Sequence, residues 1–193
     1  MTRYDLAYLT AMPVLAPALA LKAWRTAKYR ESAPAMLGRR LASEDPSLWR
    51  DGSIWVHAVS VGETVAARAM IPLIREAMPG VPLLLTTVTE TGQAAARAME
   101  GALADAVRYF PADFSWIVGR FLRTYRPRVL VLMETELWPN VLNLTADSGA
   151  PIVVMNGKIS ERSSRGYRRF RSVLRGPLSR VSAWCMQTEA DAS

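Results

Sequence analysis

The chain has a single cysteine, Cys185, and a single histidine, His57, among 193 residues. One cysteine excludes a disulfide framework within the chain, and a Cys/His zinc site would lack ligands. Catalysis by Ser-His-Asp or Cys-His would have to run through His57. That residue sits mid-way along an apolar β-rich run (Ile54-Trp55-Val56-His57-Ala58) and reads better as a core histidine. The chain also lacks the P-loop and the G-x-G-x-x-G fingerprint, so the common nucleotide motifs are missing. Half the residues are apolar and 21% are charged, which excludes a disordered chain.

Acidic charge is scarce in one place. The net charge of +7 comes from 24 Lys+Arg against 17 Asp+Glu. Residues 158–180 hold eight basic residues (Lys158, Arg162, Arg165, Arg168, Arg169, Arg171, Arg175, Arg180) and one acid, Glu161, a local +7. The remainder sums to zero. Of the basic residues, 21 are Arg, whose planar fork suits phosphate and carboxylate. A neutral body with one basic segment weakens a nucleic-acid reading. A solvated face, a phosphate contact and an anionic membrane surface are its alternatives.

Leu6–Leu21 runs for sixteen residues without a charge, flanked by Tyr4 and Trp24 and followed by Lys22, Arg25, Lys28 and Arg30. A full span needs about 20 apolar residues, and Pro13 and Pro17 would kink this one. The leading expectation is a signal anchor or shallow membrane helix over residues 1–30, with the remainder cytoplasmic by the positive-inside rule. A cleaved signal peptide lacks a convincing cleavage site; an ordinary buried helix is the third reading. Residues 31–53 read as a connector.

From Ile54 strands alternate with helices. Strands are expected at Ile54–Ser60, Leu83–Val88, Ala106–Phe110, Val129–Met133, Ile152–Met155 and Val181–Met186. Helices are expected from Thr64 to Ala77, over Thr91–Glu100, from an Asp113 cap to Tyr125, over Leu137–Ser148, and over Ser163–Leu174 with a stop at Gly176-Pro177. This pattern predicts an α/β domain, 54–193, with an open Rossmann-like parallel sheet and helices on both faces. Ligands of such sheets bind beyond the carboxyl ends of the strands. The residues there are Ser60, Gly62 and Glu63; Thr89–Gly92; Glu134–Glu136; and Asn156, Gly157, Lys158 and Ser160. Gly62 would let the chain turn tightly, placing Glu63 in the first turn of a helix. There Glu63 is either a general base or an ordinary helix-start carboxylate. Glu134 is a positioned carboxylate or a structural partner. Glu136 reads as a cap or salt-bridge residue, and Trp138 as packing.

The segments HAVSVGE (57–63), TTVTETG (86–92), METELWPN (133–140) and NGKISERSSRGYRRF (156–170), in this order, resemble bacterial 3-deoxy-D-manno-octulosonic acid (Kdo) transferases. The resemblance covers almost the whole chain, and four ordered motifs make it specific. It implies the amino-terminal, acceptor half of a GT-B glycosyltransferase. That enzyme would move Kdo from CMP-Kdo to a lipid A precursor with inversion and without a catalytic metal or other cofactor. It implies Glu63 as general base and Glu134 as the second important acid. Ser60, Gly62, Asn156, Lys158, Ser160 and Arg162 are then expected to contact substrate. The family's fifth-strand loop usually reads Asn-Ala-Arg-Leu-Ser; here Lys158 keeps the charge but loses the bidentate fork. The donor-binding half is expected in a longer protein at the cytoplasmic face of the inner membrane, and the 193 residues should not catalyse transfer unaided. The alternative is a non-catalytic module that binds anionic lipid.

Overall fold

A computed structural model describes residues 1–13, 32–39, 41, 45–158 and 171–189. Helix α1 covers residues 3–13, and α2 is Ser32–Met36. The body then alternates β1 (Ser53–His57), α3 (Val61–Ala77), β2 (Leu83–Thr87), α4 (Glu90–Arg97), β3 (Ala106–Tyr109), α5 (Ser115–Tyr125), β4 (Pro127–Met133), α6 (Pro139–Asp147), β5 (Ile152–Gly157), α7 (Arg171–Leu178) and β6 (Ala183–Met186).

The six strands form one parallel sheet in the order β3-β2-β1-β4-β5-β6. The expected α/β architecture is therefore found. β1 and β2 are buried at every position, as strands covered on both faces must be. One core, built around Trp55, Leu84, Phe121, Leu130 and Leu142, lies under α5 and α6. The other, around Ile54, Leu85, Ala67, Ile71 and Ala96, lies under α3 and α4. Successive strand residues alternate between these cores because Cβ atoms alternate across a sheet. β6, an edge strand, is largely exposed, with Trp184 at 40%.

Of the helix ends that differ from expectation, two have a cause in the tertiary structure. Asp113 does not cap α5, whose N-cap is Phe114 without a side-chain bond. Asp113 accepts instead from the Asn140 and Val141 amides (3.1 and 2.8 Å), capping α6. The α5 amide of Ser115 is taken by Asp5 at 2.8 Å. A carboxylate supplied from elsewhere in the chain replaces the local one. The stop expected at Gly176-Pro177 is also passed: Pro177 lies inside α7. Proline lacks the N–H that would bond the carbonyl four residues back. The Tyr4 hydroxyl donates to that carbonyl, Val173 O, at 3.0 Å. The expected start of the basic helix, Ser163–Phe170, lies outside the described residues.

The amino terminus is tied to the body rather than standing apart. Asp5 also accepts from Ser115 Oγ (2.6 Å) and Asn140 Nδ2 (3.1 Å), Thr2 Oγ1 donates to Asn140 Oδ1 (2.6 Å), and the Tyr8 hydroxyl donates to Asp113 (2.6 Å). Among the described residues no helix is long and apolar enough to cross a membrane. The expected anchor is thus not found there; its second half, residues 14–30, lies outside the described residues.

Candidate functional site

The strand order reverses at β1. The chain adds β2 and β3 on one side, then returns to place β4 on the other. A crevice opens at such a switch point because the two following loops diverge to opposite faces. Glu63 follows β1 and Glu134 follows β4, so the two expected carboxylates flank this crevice.

Glu63 is held by a capping box. Ser60 is the N-cap of α3, and its hydroxyl lies 3.5 Å from the Glu63 amide, which donates to it. The Glu63 carboxylate accepts from the Val59 amide at 2.7 Å and from Ser60 Oγ at 2.9 Å. Glu63 is 7% exposed. Burial pushes its pKa up, the Val59 and Ser60 bonds pull it down, and the charge of Glu134 pushes it up; the net direction is upward. A carboxylate with four lone-pair sites and two of them occupied keeps acceptor capacity for a ligand hydroxyl.

Gly62 does not make the turn expected of it. It lies within α3 without positive φ, and an added Cβ would meet nothing nearer than Ser60 Oγ at 4.0 Å. The glycine that geometry requires is Gly92. Its added Cβ would stand 2.8 Å from both Val59 O and Thr89 Oγ1. The α4 start therefore packs against the β1–α3 loop. Thr89 reinforces this contact, donating to Val59 O from its amide (3.3 Å) and hydroxyl (3.0 Å).

Glu134 has φ 63° and Asn156 has φ 57°, both in the left-handed region. Non-glycine residues there are uncommon, and such strain concentrates at functional sites. The Glu134 amide donates to Met155 O at 2.9 Å, and Thr135 Oγ1 donates to Lys158 O at 2.9 Å. These bonds lock the β4 and β5 loops together. Asn156 and Lys158 are exposed on the same edge. Gly157 packs against the Met186 side chain: an added Cβ would lie 2.6 Å from Met186 Sδ, so that side chain would have to shift. Ser160 and Arg162 lie outside the described residues.

Glu136, read from the sequence as a cap or salt-bridge residue, instead joins the carboxylates of the site. Neither a helix cap nor, among the described residues, part of an ion pair, it accepts from the Trp138 indole at 3.1 Å. Burial raises its pKa against the pull of the Trp138 bond, and the charges of Glu63 and Glu134 raise it further. Three carboxylates thus share one field. The repeat Glu134-Thr135-Glu136 was the available signal. Among the described residues no group of three His, Cys, Asp or Glu has the disposition to hold a metal ion.

His57 lies beneath the site, fully buried and stacked on Phe110 at 3.8 Å. Its Nδ1 is 3.1 Å from Thr86 O, an atom that can only accept, so Nδ1 carries the proton. Burial lowers its pKa to about 3. A neutral imidazole enclosed in the core is not a base for a bound substrate, in agreement with the core reading.

An open parallel sheet in the order β3-β2-β1-β4-β5-β6 defines the class: a Rossmann-like α/β domain. Residues 25–193 match the profile of the family described as 3-deoxy-D-manno-octulosonic-acid transferase (kdotransferase), and the chain belongs to that family. It is 34% identical to a 3-deoxy-D-manno-octulosonic acid transferase of Bordetella pertussis over 195 residues, covering 96% of this chain and 45% of that protein. A Haemophilus influenzae protein of the same name is 33% identical over 131 residues, 67% of this chain and 30% of that protein. One from Chlamydia pneumoniae is 29% identical over 190 residues, 96% and 42% of the two chains. The chain therefore spans less than half the length of these relatives.

Proposed function

We propose that the chain is the acceptor half of a Kdo transferase of lipopolysaccharide assembly, with Glu63 as its general base. The observation that carries this is the pairing of Glu63 and Glu134 across the switch point, one fixed by a capping box, the other by a left-handed backbone. The acceptor is a hydroxyl of a lipid A precursor, and the donor is CMP-Kdo. As that hydroxyl attacks the anomeric carbon, its proton passes to Glu63. The new glycosidic bond forms on the face opposite the leaving CMP, which departs with the electrons of the old bond, giving inversion. A raised carboxyl pKa suits this role, because a stronger base takes the proton more readily. Glu134 supports the transition state or holds acceptor groups, with Ser60, Asn156 and Lys158 at the rim and Ser160 and Arg162 contributing from the following segment.

The donor is bound mainly by a second half of the full-length protein, and the exposed β6, with Trp184 and Cys185 uncovered, is a surface such a half could cover. The enzyme works at the cytoplasmic face of the bacterial inner membrane, held by residues 1–30 and the basic 158–180 segment. The exposed Leu6, Leu9 and Met12 of α1, with Trp116 beside it, support that placement.

In a protein carrying the donor half, Glu63→Gln should lower transfer by roughly a hundredfold to ten-thousandfold while circular dichroism and the melting midpoint stay close to wild type. Turnover like wild type would reject the base assignment. The same apolar and basic surfaces favour a second reading, a non-catalytic module for anionic lipid. It requires vesicle co-sedimentation that depends on the Arg cluster, and no transfer even with the donor half present.

A further inference from the structure

A second concentration of arginine lies at the other edge of the sheet. The carboxyl-terminal turn of α5 carries Arg120, Arg123 and Thr124 at helical spacing, so one face presents all three. Arg126 follows as the left-handed C-cap (φ 47°), and its Nη1 donates to Arg50 O at 3.2 Å. These residues, with Ser47 and Arg50 from the turn before β1, line a cleft of about 610 Å³.

The four arginines make no ion pair among the described residues. Among the described residues, the acids near them in sequence form no ion pair with them: Asp45 accepts from the Ser47 amide at 2.9 Å, and Asp51 is exposed. The negative end of the α5 dipole offsets part of one charge, which leaves most of four. Like charges gathered without a counter-charge cost free energy that a bound anion would recover. Four guanidinium forks flanked by two hydroxyls match a tetrahedral, multiply charged oxyanion better than a carboxylate.

We propose that this cleft is an anion site for a phosphate monoester or diphosphate group. It is separate from the carboxylate site. β4 begins beside Arg126 and ends before Glu134, and its seven residues put the two sites roughly 20 Å apart at about 3.3 Å per residue. Its residues are also distinct from those of the basic segment 158–180. The inference does not depend on the transferase reading, and its assay does not involve transfer. The phosphate could be free in solution or carried by a lipid headgroup.

The test is titration calorimetry of the full chain with inorganic pyrophosphate, beside co-sedimentation with phosphatidylcholine vesicles containing phosphatidic acid. Arg120→Gln/Arg123→Gln should weaken at least one of these by tenfold or more. Arg68→Gln/Arg97→Gln removes the same net charge from exposed positions on α3 and α4 and should leave it within about twofold. Loss of pyrophosphate binding identifies a soluble ligand; loss confined to vesicles identifies a headgroup. Equal losses in the two double variants, or no binding of either probe by the wild type, would overturn the site. All four arginines are exposed, so the variants should melt within a few degrees of wild type.

Discussion

At the scale of single residues, Ser60 does two jobs with one hydroxyl. It is the N-cap of α3, accepting from the Glu63 amide, and it donates to the Glu63 carboxylate at 2.9 Å. Ser60→Ala should cost about 1 kcal/mol of stability, as losing an N-cap does. It also removes a bond that favours the ionised form of Glu63, so the Glu63 pKa should rise further. In a transfer-competent protein the acid limb of the pH–rate profile should then move to higher pH. A lower kcat with an unmoved acid limb would mean that Ser60 acts on structure alone. Glu63 itself was legible because it follows an apolar strand and opens a helical pattern, where the helix dipole favours a carboxylate. The backbone of Glu134 was not: nothing in Met-Glu-Thr-Glu signals a φ of 63°, found where its amide donates to Met155 O of the neighbouring β5.

At the scale of elements, the α4 start packs against the backbone of the β1–α3 loop. Gly92→Ala would place a methyl 2.8 Å from Val59 O, a backbone atom that cannot swing away. The expected cost is about 1–3 kcal/mol, the range for overpacking, read as a lower urea midpoint at unchanged m-value. Because the adjacent Val59 amide holds Glu63, transfer should fall as well; a variant of full stability and activity would show that the loop yields. The α7 element gives a second case. Tyr4→Phe would strip the donor from Val173 O, the carbonyl that Pro177 leaves unpaired, at a cost of about 1 kcal/mol. Gly176-Pro177 reads as a helix stop in the sequence. A tyrosine 169 positions away makes it a place the helix passes through.

At the scale of the whole molecule, α1 and the sheet domain meet through two buried carboxylates, Asp5 and Asp113. Burial raises the Asp113 pKa to about 6 against the pull of the Tyr8, Asn140 and Val141 bonds. For Asp5, burial raises the pKa but the Ser115 and Thr2 bonds outweigh it, so the net shift is downward. A carboxyl whose folded pKa lies above its unfolded value near 3.8 binds protons more tightly in the native state. Its contribution to stability is therefore full at low pH, and is lost as pH rises from about 4 to about 6. Asp113→Asn should flatten the pH dependence of the denaturation midpoint in that window. Glu63 and Glu136 act in the same direction and Asp5 in the opposite one, so the wild-type minus variant difference isolates Asp113. An unchanged difference across the window would mean that Asp113 stays ionised in the fold.

The sequence by itself determined the parallel sheet, the order of its elements and the loops that carry the chemistry. These follow from local signals: short apolar runs, helical spacing and turn residues. The distribution of positive charge was equally plain, because it is a count along the chain. What only the tertiary structure decided is which carboxylates meet and which acid serves which helix. Asp113 precedes α5 but caps α6, and α5 is served by Asp5, 110 residues earlier than Ser115. The arginine cleft is likewise invisible in one dimension, since Arg50 and Arg126 lie 76 positions apart and meet where β1 and β4 begin side by side. Local free energies write the elements, but a parallel sheet pairs only strands distant in sequence. The partners of its loop residues are therefore set by topology.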